Sequence, residues 1–191
     1  MTRPCLPHFR ALLIASVLST ALPSSALAAT IDFGGLTGNN QTFFNAYEED
    51  GFRVENAGGE WREAHVFGSP IPALYGVGSG VSLEVSSLAS STFVASAIDL
   101  ADAGPFGMEY RLEGFLGGAS QFSVTGSVGN AFETVPFGGG APIDLLEITF
   151  VVVNGSANLD NLVVTAVPEP GTALLIGLGL LLLGREDRSE A

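Results

Sequence analysis

Val81-Ser82-Leu83-Glu84-Val85 alternates apolar and polar residues without a break. In a strand successive side chains point to opposite faces, so Val81, Leu83 and Val85 share a buried face while Ser82 and Glu84 meet water. The same two-residue period recurs in Gly51-Phe52-Arg53-Val54-Glu55-Asn56, Thr92-Phe93-Val94-Ala95-Ser96-Ala97-Ile98, Met108-Glu109-Tyr110-Arg111-Leu112-Glu113, Gln121-Phe122-Ser123-Val124-Thr125 and Ala131-Phe132-Glu133-Thr134-Val135. Each reads as a half-buried antiparallel strand. Leu145 to Val153 is more continuously apolar, as expected of a strand near the centre of a sheet. Gly34-Gly35, Gly58-Gly59, Gly117-Gly118 and Gly138-Gly139-Gly140 stand between these segments, where turns call for positive backbone angles. Strand segments at a spacing of about 8 to 14 residues predict an all-β chain, an antiparallel β-sandwich or jelly roll of about nine strands. Helical character is confined to two short pieces, 41–48 and 100–103.

Outward from this middle part, the N-terminal end has a different grammar. Arg3 and Arg10 precede Ala11-Leu12-Leu13-Ile14-Ala15-Ser16-Val17-Leu18, and Pro23-Ser24-Ser25-Ala26-Leu27-Ala28 ends in an Ala-x-Ala pattern. That order is a secretory signal peptide, helical over its apolar run, with cleavage expected after Ala28. The single cysteine, Cys5, lies before the apolar run and leaves with the signal. The mature chain then has no disulfide and depends on its core, for which residues 30–166 suffice as one domain.

The chain has no lysine, and its 7 arginines stand against 20 Asp and Glu for a net charge of −13. Within 30–166 the balance is Arg53, Arg62 and Arg111 against 16 acidic residues. Such a surface repels phosphate backbones, which excludes nucleic acid as a partner. It suits divalent cations, and it equally suits plain solubility.

At the other end Pro168-Glu169-Pro170 breaks any strand or helix, because proline lacks an amide proton and restricts its predecessor. An uncharged apolar stretch follows over 172–184, and then a charged tail, 185–191, containing Arg185 and Arg188. Break, greasy helix and basic stop, in that order, resemble the PEP-CTERM sorting signal of exported bacterial proteins. The resemblance covers 167–191 and implies Pro168, Glu169 and Pro170 as the sorting motif, a short C-terminal membrane helix over 172–184, and recognition by an exosortase-type sorting protease. Glu186, Asp187 and Glu190 interrupt the basic cluster that is usual there. Orientation in a membrane follows basic residues and is little affected by acidic ones. An apolar run of this length is also that of an ordinary buried helix. Three segments result: signal peptide 1–28, β-sandwich domain 30–166 and sorting signal 167–191.

A second resemblance spans the middle. Thr30-Ile31-Asp32-Phe33, Tyr47-Glu48-Glu49-Asp50-Gly51-Phe52 and Leu159-Asp160-Asn161-Leu162-Val163-Val164 are similar to phrases of the β-sandwich cargo domains found ahead of PEP-CTERM signals. Those domains resemble carbohydrate-binding jelly rolls in architecture.

Common catalytic signatures are missing. Gly76-Val77-Gly78-Ser79-Gly80 has the wrong spacing for a nucleophile elbow, and a lysine-free chain has no P-loop. With His65 alone and no cysteine after the signal, a His/Cys zinc site and a cysteine nucleophile are excluded. No catalytic residue is assigned, although paired carboxylates would suffice for glycoside hydrolysis. In Glu60-Trp61-Arg62-Glu63-Ala64-His65 a strand places Trp61, Glu63 and His65 on one face. An exposed indole beside a carboxylate and an imidazole is a surface for stacking and hydrogen-bonding a sugar; a lone tryptophan in a sandwich is more often a core packer, and a lone histidine more often a satisfied polar neighbour. Asp32 and Asp160, with Glu48-Glu49-Asp50, could offer oxygen ligands to calcium if the first and last strands adjoin; a solvated acidic turn is the other reading. No other cofactor is implied.

The function that follows is an exported, non-catalytic protein, held in the inner membrane by its C-terminal helix and then delivered to the cell surface or extracellular matrix. There its sandwich is structural or binds extracellular polysaccharide. The alternatives are a secreted carboxylate-dependent glycan hydrolase and an unprocessed single-pass membrane protein with a periplasmic domain.

Overall fold

The computed structural model describes residues 28–167, except 69, 90, 105, 106, 138, 139 and 152–155. The signal helix, Pro168–Pro170 and the membrane helix expected over 172–184 lie outside the described residues. Ten strands follow one another, and no helix occurs among the described residues: β1 (Ala28–Ile31), β2 (Ala46–Glu49), β3 (Phe52–Ala64), β4 (Ala73–Ser87), β5 (Phe93–Asp102), β6 (Met108–Leu116), β7 (Ala119–Val128), β8 (Glu133–Pro136), β9 (Leu145–Val151) and β10 (Ser156–Ala166). The all-β expectation holds. The two pieces expected to be helical belong to strands instead: 41–48 runs through a bridge at Phe43 into β2, and 100–103 is mostly the end of β5.

All pairing is antiparallel. One layer runs β2-β3-β4-β9-β6-β7, and the other is β10 and β5 with β8 on one side and β1 and the start of β4 on the other. The long β3–β4 ribbon belongs to both. Its register jumps at Gly58, so that Gly58 pairs with Ser82 but Glu60 with Val77, and residues 78–81 of β4 are left without a partner on β3. Gly59 sits there with φ +79, and a Cβ on it would lie 2.5 Å from Val81 Cγ1, so only glycine turns this corner.

The inward faces of the two layers meet in one core. Phe52 of β3 packs edge-on against Phe93 of β5 at 5.4 Å, and Phe122 of β7 against Phe137 after β8 at 6.1 Å. Leu83, Ile98, Leu100, Leu112, Ile148 and Leu159 are fully buried between them. Each such side chain contributes about 1.5–3 kcal/mol relative to exposure, which is how a disulfide-free domain holds. β9 lies between β4 and β6, as its apolar sequence predicts. β1 pairs with β10 over Ala28↔Thr165 to Ile31↔Leu162, and the Val167 amide donates to the Thr92 carbonyl at 2.9 Å. The chain therefore enters and leaves the sandwich side by side.

Candidate functional site

Trp61 and Glu63 do share a face, and it is the inward one. Trp61 is 0 % exposed, its ring lies 5.6 Å from that of Phe150, and its Nε1–H donates to the Ser82 carbonyl at 3.1 Å. Of the two readings of Trp61, the core packer is the one found and the exposed sugar-stacking indole is corrected; its partner on β4 is Gly76, whose missing side chain leaves room for Val81 and the indole edge. Glu63, 8 % exposed, lies two residues nearer the end of the strand. Its Oε2 accepts from the Gly38 amide at 2.9 Å and is 2.8 Å from His65 Nε2, while the His65 amide donates to Asn40 Oδ1 at 2.9 Å. The carboxylate and imidazole thus come together as a clasp on the 38–41 loop, apart from the buried indole.

The acids considered for calcium also disperse. The first and last strands adjoin, yet Asp32 Oδ1 accepts from the Gly34 amide at 2.8 Å and the buried Asp160 accepts from the Asn161 amide at 2.8 Å. Asn161, at φ +46, forms the bulge that shifts the register between β10 and β5, and its Nδ2 donates to Asp99. Glu48 pairs with Arg53 at 2.9 Å, whereas Glu49 Oε2 turns the other way, accepting from the Asp32 and Phe33 amides at 2.9 and 3.3 Å. Burial, and then the charge of Asp32, pushes the Glu49 carboxyl above its usual range. Burial likewise raises the Tyr47 phenol, whose oxygen accepts from the Gly35 amide at 2.9 Å. These bonds hold the turn after β1, where Phe33 takes φ +59 with its ring packed on Tyr47 at 5.6 Å. Among the described residues no three of His, Cys, Asp or Glu gather as a metal site. Calcium needs about six to eight oxygens, and Asp32 and Asp160 do not fit that demand.

What strand alternation could not locate is a trough on the outer face of β6, β7 and β9. It encloses about 470 Å³ and is lined by Glu109 and Arg111 of β6, Thr125 and Ser127 of β7, and Val151 of β9, with Tyr110 and Gly126 between them. The ladder sets the spacing: Arg111 lies opposite Thr125 and Thr149, and Glu109 opposite Ser127 and Val151. Next to it, Glu55, Glu84, Glu147 and Glu113 stand in direct register across β3, β4, β9 and β6. Arg53 meets Glu55 at 3.0 Å, Arg111 meets Glu113 at 3.3 Å, and the Thr149 hydroxyl donates to Glu147 at 3.0 Å.

Residues 166–188 match the family described as the PEP-CTERM protein-sorting motif. The chain carries that motif, which marks an exported protein sorted to the cell envelope. No curated protein matches the chain. Among solved structures it is similar to CBM29_1, a family 29 carbohydrate-binding module from Piromyces equi, at 11% identity over 75% of this chain and 93% of that one, with a TM-score of 0.45. It is also similar to the family 32 module of C. perfringens NanJ in complex with galactose, at 18% identity over 63% and 98%, TM-score 0.45. A family two carbohydrate esterase from Cellvibrio japonicus aligns at 14% identity over 76% of this chain and 36% of that one, TM-score 0.43.

Proposed function

We propose that this is a non-catalytic exported protein, delivered to the cell surface or extracellular matrix through its C-terminal signal, with a sandwich that binds extracellular polysaccharide or serves structurally. The observation that carries the reading is the position of the motif. Its match begins at residue 166, the last residue of β10, so the signal starts where the folded domain ends. An exosortase-type protease would act on Pro168, Glu169 and Pro170 while the apolar run over 172–184 holds the precursor in the inner membrane. Signal cleavage after Ala28 would leave Ala29, Thr30 and Ile31 to pair with β10. The segments are then 1–28, 30–166 and 167–191.

The non-catalytic reading is supported by how the acids are used. Glu49 has the raised carboxyl and the acidic neighbour that a glycan hydrolase needs. Its Oε2, however, is spent on two backbone amides of the β1 turn. The test is the intact mass of the protein from a bacterium that carries the sorting protease. Wild type should lose the tail near Pro168, and the variant Pro168→Ala/Pro170→Ala should keep it. A wild-type chain that retains the tail would establish the single-pass membrane protein instead.

A further inference from the structure

The trough over β6, β7 and β9 has the lining of a saccharide subsite, and we infer that it takes hydroxyl-rich chains without negative charge. This rests on the polysaccharide-binding reading above and says where and with what selectivity such binding occurs. Its volume of about 470 Å³ falls within the roughly 300–1,000 Å³ of small-molecule sites. The lining is mixed in the way a sugar requires. Arg111 supplies donors, Glu109 acceptors, Thr125 and Ser127 both, and Val151, 49 % exposed, an apolar contact for ring C–H groups. Arg111 uses one nitrogen on Glu113, at 3.3 Å, and a guanidinium has five N–H donors in all. The side chains come from three adjacent paired strands, so the trough is held rigidly before any ligand arrives.

The charge around it decides the class of ligand. A polymer lying across the strands from the trough follows the line Arg111, Thr149 and Ser82 and runs beside the row Glu113, Glu147, Glu84 and Glu55, which stands two residues along each strand. The arginines on this face, Arg111 and Arg53, are already engaged by Glu113, Glu55 and Glu48. A polyuronate would add like charges to that row; a neutral or amino-bearing chain would not.

The trough also lies at the end of the sandwich away from the two chain ends. β9 runs from Leu145, near the Ile143–Phe93 bridge and the Val167–Thr92 bond, to Val151 at the trough, about 20 Å away at ~3.4 Å per residue.

Binding can be measured with the full-length chain in mild detergent, by depletion onto an insoluble neutral β-glucan, a polyglucosamine and a cross-linked polyuronate. Wild type should bind at least one of the first two and bind the polyuronate roughly tenfold or more weakly. Arg111→Ala should weaken binding roughly tenfold, and Ser127→Trp, which fills the trough, should abolish it. Val66→Ala, on a loop away from β6, β7 and β9, should change nothing. If wild type binds no polysaccharide, the binding reading itself fails. If wild type binds and both trough variants bind equally well, the site assignment is overturned, and tight polyuronate binding overturns the selectivity. Ser127 and Arg111 are exposed, and matching thermal melts separate lost binding from lost folding.

Discussion

Glu84 and Glu147 face each other directly across β4 and β9, and each has a further glutamate, Glu55 or Glu113, on its other side. Like charges directly opposite in a sheet are destabilising by some tenths of a kcal/mol. Among the described residues no arginine pairs with Glu84 or Glu147. Glu84→Gln should therefore raise stability by about 0.5 kcal/mol in urea unfolding. Wild type should gain more than the variant as NaCl rises from about 0.05 to about 0.5 M, because screening relieves a repulsion that the variant has partly lost. A variant no more stable than wild type at low salt would mean that the row costs nothing.

Trp61 is the largest fully buried side chain and the chain's only tryptophan. Trp61→Ala should destabilise the domain by about 3–5 kcal/mol. In the folded wild type, indole emission should resist quenching by iodide and become quenchable in urea. A readily quenched folded state would place the indole at the surface.

Glu49 has a folded-state pKa above its unfolded value. Its protonated form therefore favours the fold, and that contribution is complete below the unfolded value of about 4.3. It is lost as pH rises through the raised folded pKa. Glu49→Gln keeps an acceptor for the Asp32 and Phe33 amides and removes the charge. Its stability relative to wild type should rise as pH increases above the unfolded value of about 4.3 and level off once pH has passed the raised folded pKa, measured by urea unfolding at each pH. A difference that stays flat with pH would show the carboxyl to be unperturbed.

Gly38 is packed on the clasp so closely that a Cβ there would lie 2.5 and 2.6 Å from the two oxygens of Glu63. Glu63 is 8 % exposed, and to make way it would have to give up its bonds to the Gly38 amide and His65. Gly38→Ala should cost about 1–3 kcal/mol. In the Glu63→Ala background most of that cost should vanish, and a double-mutant cycle reads the coupling. Additive effects would mean that the loop relaxes by another route.

Strand periodicity carried the reading of this chain a long way. Alternation in Val81–Val85 and Gln121–Thr125 identified the right residues as paired faces, and the linear order of proline break, apolar run and arginines was enough for the sorting motif. Alternation says which residues share a face, not which face is covered. That is why alternation put Trp61 beside Glu63, while the core position came only from the general habit of a lone tryptophan in a sandwich; Phe150 meets it there. The trough draws on three strands and the glutamate row on four, and both depend on β9 pairing with strands distant in sequence, which no local pattern holds. Phe43, Phe44 and Tyr47 mimic a helical stripe, but Gln41 at φ +72 and the Phe43–Arg62 bridge commit the segment to β3.

The pairing of Ala28 with Thr165 also sets how the molecule bears load. Its two ends emerge together from one antiparallel ladder, so a pull between them strains a single rung at a time instead of shearing the whole strand. Force applied there would peel β1 away like a zipper, from Ala28 toward Ile31, while the core beneath Phe93 and Phe150 stayed intact.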